Sequence, residues 1–196
     1  MLTVYLLRHG ETQYNADGNR YCGRTDIDLT EKGLAQANHV NTLLKGKKID
    51  AVYSSPLLRA KRTAEIISGR KPITDERLVE IDFGLWEGKT RAEFVSESPL
   101  SWEQWANAPE MAKAGETGEN GNDVLQRMNS FFKEMQTKHR DESILVVAHN
   151  GVNRLFLAHQ LGMPLQNYRR ILQLNSAVTM FDLDEDNGFV LNMLNG

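Results

Sequence analysis

Val4-Tyr5-Leu6-Leu7-Arg8-His9-Gly10-Glu11 opens with four apolar residues and breaks off into a cation, an imidazole and a glycine. An apolar run this short, closed by polar residues, is the pattern of a strand buried on both faces of a sheet. In open α/β sheets the residues just past the carboxyl end of such a strand face the crevice where ligands bind. Arg8 and His9 are placed there together, and a cation beside an imidazole suits phosphate chemistry.

Working outward, apolar strands alternate with amphipathic helical segments along the whole chain. That alternation predicts an α/β fold, three-layer, with a mostly parallel central sheet and helices on both faces. The first strand covers about Thr3 to Leu7. A helix follows from about Glu31, capped by Thr30, with Leu34, Ala37, Val40 and Leu44 on one face. Asp50 to Ser54 reads as the next strand. Ser55 is the expected cap and Pro56 the first residue of a helix with Ala60, Ala64 and Ile67 inside, which puts Arg59 in its first turn. Val124, Met128, Phe131 and Met135 mark a helix from Asn122 to about His139, and Ile144 to Val147 the next buried strand, with His149 at its end. A helix over Val152 to Leu161 and strands at Thr179 to Asp182 and Phe189 to Met193, turning at Asn187-Gly188, complete the reading. The last two strands are expected as antiparallel edge elements.

The segment from about 91 to 117 has no long stripe. Its scattered Trp102, Trp105, Pro99 and Pro109 read as short helices and loops forming a small cap insertion on a single domain, 1–196. A net charge of −3 leaves no basic field for nucleic acid, so any anion site must be a local cluster of cations. The apolar stretch at the start is too short for a signal peptide or a membrane span, so the expectation is a cytoplasmic protein without membrane partners. Cys22 is the single cysteine, which excludes an internal disulfide and a thiolate metal cluster. The sequence does not state an oligomeric state.

Four motifs carry a resemblance: Leu7-Arg8-His9-Gly10-Glu11-Thr12, Tyr53-Ser54-Ser55-Pro56-Leu57-Leu58-Arg59-Ala60, Glu80-Ile81-Asp82-Phe83-Gly84-Leu85-Trp86-Glu87-Gly88 and Val146-Val147-Ala148-His149-Asn150-Gly151. In this order they are similar to the histidine phosphatase superfamily, in its phosphoglycerate mutase-like branch. The resemblance implies a six-stranded, mostly parallel sheet. It also implies a metal-independent phosphomonoesterase without cofactor, acting on small phosphorylated metabolites through a phosphohistidine. His9 is then the nucleophile, Arg8 and Arg59 hold phosphate oxygens, and His149 closes the pocket as an imidazolium. Glu80 matches the family's general acid, its pKa expected to rise by burial beside Ile81 and Phe83; Asp82 is the rival.

Asn15, Gly10, the Asn150 backbone, and Cys22 with Gly23 complete the expected substrate contacts, with Trp102, Trp105, Lys89 and Arg91 framing the non-phosphate part. Two alternatives stand beside the phosphatase: mutase-type phosphoryl transfer and a non-catalytic phosphometabolite-binding protein. Retention of both His, both Arg and Glu80 argues against the second, since binding alone needs neither nucleophile nor acid.

Overall fold

Leu2–Arg8 (β1) is paired along both edges and packed on both faces, and because neither face meets water its apolar run is continuous. Leu2, Val4 and Leu6 belong to one core cluster, Tyr5 and Leu7 to the other. The computed structural model of the chain describes residues 1–184 and 188–196. Its six-stranded sheet has the order β3-β2-β4-β1-β5-β6, with β2 at Ala51–Ser54, β3 at Ile73–Thr74, β4 at Ser143–Ala148, β5 at Val178–Asp184 and β6 at Gly188–Met193. The pairs β1 with β4, β4 with β2 and β2 with β3 are parallel. β5 runs antiparallel to both of its neighbours and lies inside the sheet, so of the last two strands β6 alone forms an edge, β3 being the other edge of the sheet. The expected turn residue Asn187 falls outside the described residues.

Helices α2 (Glu31–Leu43) and α3 (Leu58–Ser68) cover one face with Ala37, Val40, Ala60, Ala64 and Ile67. Helices α6 (Gly121–Lys138) and α7 (Asn150–Gln160) cover the other with Met128, Phe131, Phe132, Leu155 and Phe156 among their buried residues. Each fully buried side chain of this size contributes about 1.5–3 kcal/mol, so the two layers tie the sheet down on both sides. Among the described residues no helix is long and apolar enough to cross a membrane.

Three helix starts differ from expectation, α7 among them, since it begins at Asn150 instead of Val152. Thr30 caps α2 as its sequence predicts, accepting from Gly33 N. The α3 helix, however, begins at Leu58 instead of Pro56. Ser55 Oγ accepts from Leu57 N at 3.3 Å, and the Leu58 N–H is taken at 2.7 Å by Asp26 of a distant loop. The α6 helix starts one residue early, at Gly121, because Asn120 and Asp123 form a reciprocal capping box.

Short helices α1 (Gln13–Ala16), α4 (Arg91–Glu97) and α5 (Pro99–Asn107) complete the helical set. The last two pack through aromatic residues: Phe94 stacks on Trp86 at 4.6 Å, and Trp105 meets Trp86 edge to face at 6.0 Å. Trp105 Nε1 donates to Tyr168 Oη at 3.2 Å, joining this segment to the turn at Leu165–Arg170.

Candidate active site

The β1/β4 register sets Arg8 opposite Ala148, so the residues that follow, His9 and His149, leave the sheet side by side. The His9 N–H extends the ladder to Ala148 O at 3.1 Å. The two rings meet edge to face with centroids 5.1 Å apart, and both are buried. His9 Nδ1 lies 2.7 Å from Gly10 O. A carbonyl only accepts, so Nδ1 carries the hydrogen and the lone pair of the neutral ring falls on Nε2.

Burial, followed by the charges of Arg59 and Arg8, drives the His9 pKa well below the usual histidine value. The ring is therefore a neutral base at physiological pH. Burial, then Arg59 and His9, do the same to His149. The expected imidazolium is thereby corrected: in the free protein His149 is neutral. Neither of its ring nitrogens has a hydrogen-bond partner among the described residues.

Arg8 donates from Nη1 to Gln173 O at 3.2 Å, while its buried Nε has no partner. Burial pulls its pKa down to about 10, which leaves it cationic. Arg59 is fully buried behind the site. Its guanidinium donates to Thr25 O at 2.8 Å, Cys22 O at 3.1 Å and Gly23 O at 2.9 Å, and its Nε is also unpartnered. Arg59 thus holds the 22–25 loop as well as charging the His9 environment.

Glu80 is buried, but its surroundings are polar where apolar ones were expected. Its Oε1 accepts from Ile81 N at 2.9 Å and Val152 N at 3.0 Å, and its Oε2 from Gly151 N at 2.9 Å. Glu80 therefore clasps the second and third residues of α7, whose first residue, Asn150, lines the cleft. Asp82 accepts from Gly84 N instead and is not on the cleft wall. The Glu80 segment is fastened from behind by Arg127, which donates to Arg77 O, Val79 O and Glu80 O and pairs with Glu119 at 3.0 Å.

Arg8, His9 and Glu80 border a cleft of about 450 Å³, while Arg59 and His149 are fully buried behind its wall. Arg8, His9, Asn15, Cys22, Glu80 and Asn150 line it together. Asn15 Oδ1 accepts from Thr12 N and Asn175 Nδ2, which turns its amide nitrogen the other way. Gly10 and Gly23 do not line the cleft. The Gly10 N–H is taken by Thr63 Oγ1, and a Cβ there would meet Gly33 O at 2.6 Å. The Gly23 N–H is taken by Glu87. Both glycines support the wall through close backbone approach.

Burial pushes the Cys22 thiol up to about 11. It stays protonated and is no nucleophile. Among the described residues no three His, Cys, Asp or Glu side chains gather so as to hold a metal ion. Trp102, Trp105, Lys89 and Arg91 also stand off the cleft wall. Trp105 is fully buried in the core, and Lys89 pairs with Glu97. Sequence reasoning missed Arg154, Arg169, Gln173 and Asn175, which do line the cleft. Arg154 could have been found, since it lies one helical turn after Asn150 and shares its face. The other three come from an irregular stretch with no periodic signal.

The family model for the histidine phosphatase superfamily (branch 1) matches residues 4–196. The chain is 30% identical over 196 residues to phosphoserine phosphatase 1 of Hydrogenobacter thermophilus, covering 98% of this chain and 92% of the relative. It is 33% identical over 168 residues to the adenosylcobalamin/α-ribazole phosphatase of Escherichia coli, covering 84% and 82%. A mutant phosphoserine phosphatase from Entamoeba histolytica, solved with phosphoserine, superposes with a TM-score of 0.90 at 29% identity over 100% of this chain and 98% of that one.

Proposed function

Because the chain belongs to the histidine phosphatase superfamily, branch 1, we propose that it hydrolyses phosphomonoesters of small metabolites through a phosphohistidine formed on His9. The observation that carries this reading is the His9 ring itself. It is neutral, its Nδ1–H is held by Gly10 O, and its nucleophilic Nε2 lies among arginine charges.

The His9 Nε2 lone pair forms a bond to phosphorus as the ester P–O bond breaks. The leaving oxygen takes a proton from Glu80. Oε1 of Glu80 already accepts two N–H bonds and Oε2 only one, so Oε2 is the atom with a lone pair left to carry that proton. In the second half, water attacks phosphorus and gives its proton back to Glu80. The P–N bond breaks, releasing phosphate and restoring neutral His9. Arg8, with the unpartnered Arg59 Nε and His149 nitrogens, supplies the donors for the equatorial oxygens. A ring that is neutral in the free protein takes up a proton readily once a phosphate dianion offsets the arginines. No step calls on a metal or cofactor. In this reading residues 1–196 work as one domain, with 91–117 as a cap supporting the cleft.

The test is turnover of an aryl phosphate with rapid acid and alkaline quenching. An acid-labile, base-stable phosphoryl adduct on His9, absent in His9→Ala, is expected. Product formation at the normal rate in His9→Ala would overturn the mechanism. Recording isomer formation beside phosphate release separates hydrolysis from mutase-type transfer.

A further inference from the structure

A side chain that meets a phosphoryl oxygen must present a hydrogen, and an amide can present either of its two ends. Asn15 lines the cleft, so the end it turns inward decides whether it attracts or repels the anion. The backbone of the nucleophile settles that orientation. His9 O only accepts, so the Asn175 atom 3.0 Å from it is Nδ2. The same Nδ2 meets Asn15 at 3.3 Å, and the Asn15 atom there is therefore Oδ1. Thr12 N donates to this oxygen at 3.1 Å as well. The Asn15 Nδ2–H is left for the cleft.

Thr12 and Asn15 belong to one short turn, Gln13–Ala16 with its cap, far below the length at which a helix holds itself in water. Asn175 ties that turn to the sheet. It rides on a segment bound to the end of β1 at several points: Arg8 Nη1 donates to Gln173 O at 3.2 Å, and Ser176 N donates to Arg8 O at 3.0 Å. Ser176 reaches that carbonyl with a left-handed φ of 56°, a conformation that a serine holds only where its surroundings enforce it. From the far side Asn195 accepts from Leu174 N at 3.0 Å and donates to Leu172 O at 2.7 Å. Residues 172–176 thus form a strap braced on both sides, and Asn175 is the residue of it that touches His9 and Asn15 together.

We propose that Asn175 is a positioning residue for phosphoryl binding: it takes its own orientation from the carbonyl of His9 and imposes on Asn15 the amide orientation that donates to the phosphoryl oxygens. The nucleophile's own peptide thereby sets one of the donors for the group it attacks. Asn175 acts through Asn15, so its effect exists only while Asn15 is present. The proposal deepens the phosphatase reading above, which supplies the phosphoryl group, and a binding measurement without turnover keeps the two separable.

The experiment measures calorimetric affinity for orthovanadate, an oxyanion of phosphate's shape, in the wild type, Asn15→Ala, Asn175→Ala and the double variant. Each single change is expected to weaken binding about tenfold, the worth of one hydrogen bond to a charged group. The double variant is expected to bind no more weakly than Asn15→Ala, because two residues that act as one unit are not additive. A general packing role for Asn175 lowers affinity by the same factor on both backgrounds, so a loss of about a hundredfold in the double variant, the product of the two single losses, overturns the proposal. An unchanged affinity in Asn175→Ala overturns it too. If Asn175→Ala fails to fold, Asn175→Asp keeps the shape and removes the donor. Its added charge acts on both backgrounds and cancels in the comparison, so an equal loss with and without Asn15 overturns the proposal in the same way. An absent His9 adduct with this coupling intact would sink the phosphatase mechanism and leave the positioning role standing, and a normal adduct without the coupling would do the reverse.

Discussion

The Gly151 N–H donates to Glu80 Oε2 at 2.9 Å, and a Cβ built on Gly151 would stand 2.7 Å from Glu80 Oε1 and 2.6 Å from Ile81 Cδ1. The proposed acid and the helix that follows the second histidine therefore fit only because position 151 has no side chain. Gly151→Ala is expected to push Glu80 aside. Its kcat should fall about 10²-fold for alkyl phosphates, by the scale of general acid catalysis, and much less for aryl phosphates with good leaving groups. Equal losses on both would show that Glu80 is not the acid.

Arg127 ties the Glu80 segment to α6 through three backbone carbonyls and the Glu119 pair. Replacing it with Met strips those carbonyls of their donor and leaves the Glu119 carboxylate only Arg24 and the Asp82 N–H. The expected loss is about 2–4 kcal/mol of stability, read as a lower urea midpoint. An unchanged midpoint would mean the clamp carries no net stability.

Stability should fall on the acid side of neutrality. His9 and His149 are held neutral in the folded chain, whereas in the unfolded chain they protonate below about pH 6.5. The unfolded state then binds more protons, so this contribution is complete above about 6.5 and is lost as pH falls toward the folded values, by about 1.4 kcal/mol per pH unit for each ring. Urea unfolding between pH 7 and 5 measures it. A His9→Gln, His149→Gln double variant should show a shallower slope, and identical slopes would contradict the buried neutral rings.

Cys22 borders the cleft with its thiol pushed up to about 11. At pH 7 it should react with iodoacetamide far more slowly than a free thiol, and Cys22→Ser should keep turnover of aryl phosphates. Rapid alkylation at neutral pH would contradict the protonated thiol.

Periodicity, length and capping residues are local properties, and they sufficed for the buried strand at Val4 to Leu7, the stripe from Val124 to Met135 and the Thr30 cap, while the four motifs in their order carried the family resemblance. Through them, the placement of Arg8, His9 and His149 at strand ends was legible before any coordinates, whereas the pairing of those two strands came from the fold. Other features depend on partners distant in the chain. Asp26 chooses where α3 begins, Thr63 and Gly33 decide what Gly10 does, and β5 turns against its neighbours. The orientation of the Asn15 amide belongs to this second group. Asn175 reads as an ordinary loop residue until the fold sets it against both His9 O and Asn15 Oδ1. Hydrophobic pattern is written residue by residue, but whether a polar group is paired depends on what three-dimensional packing sets beside it.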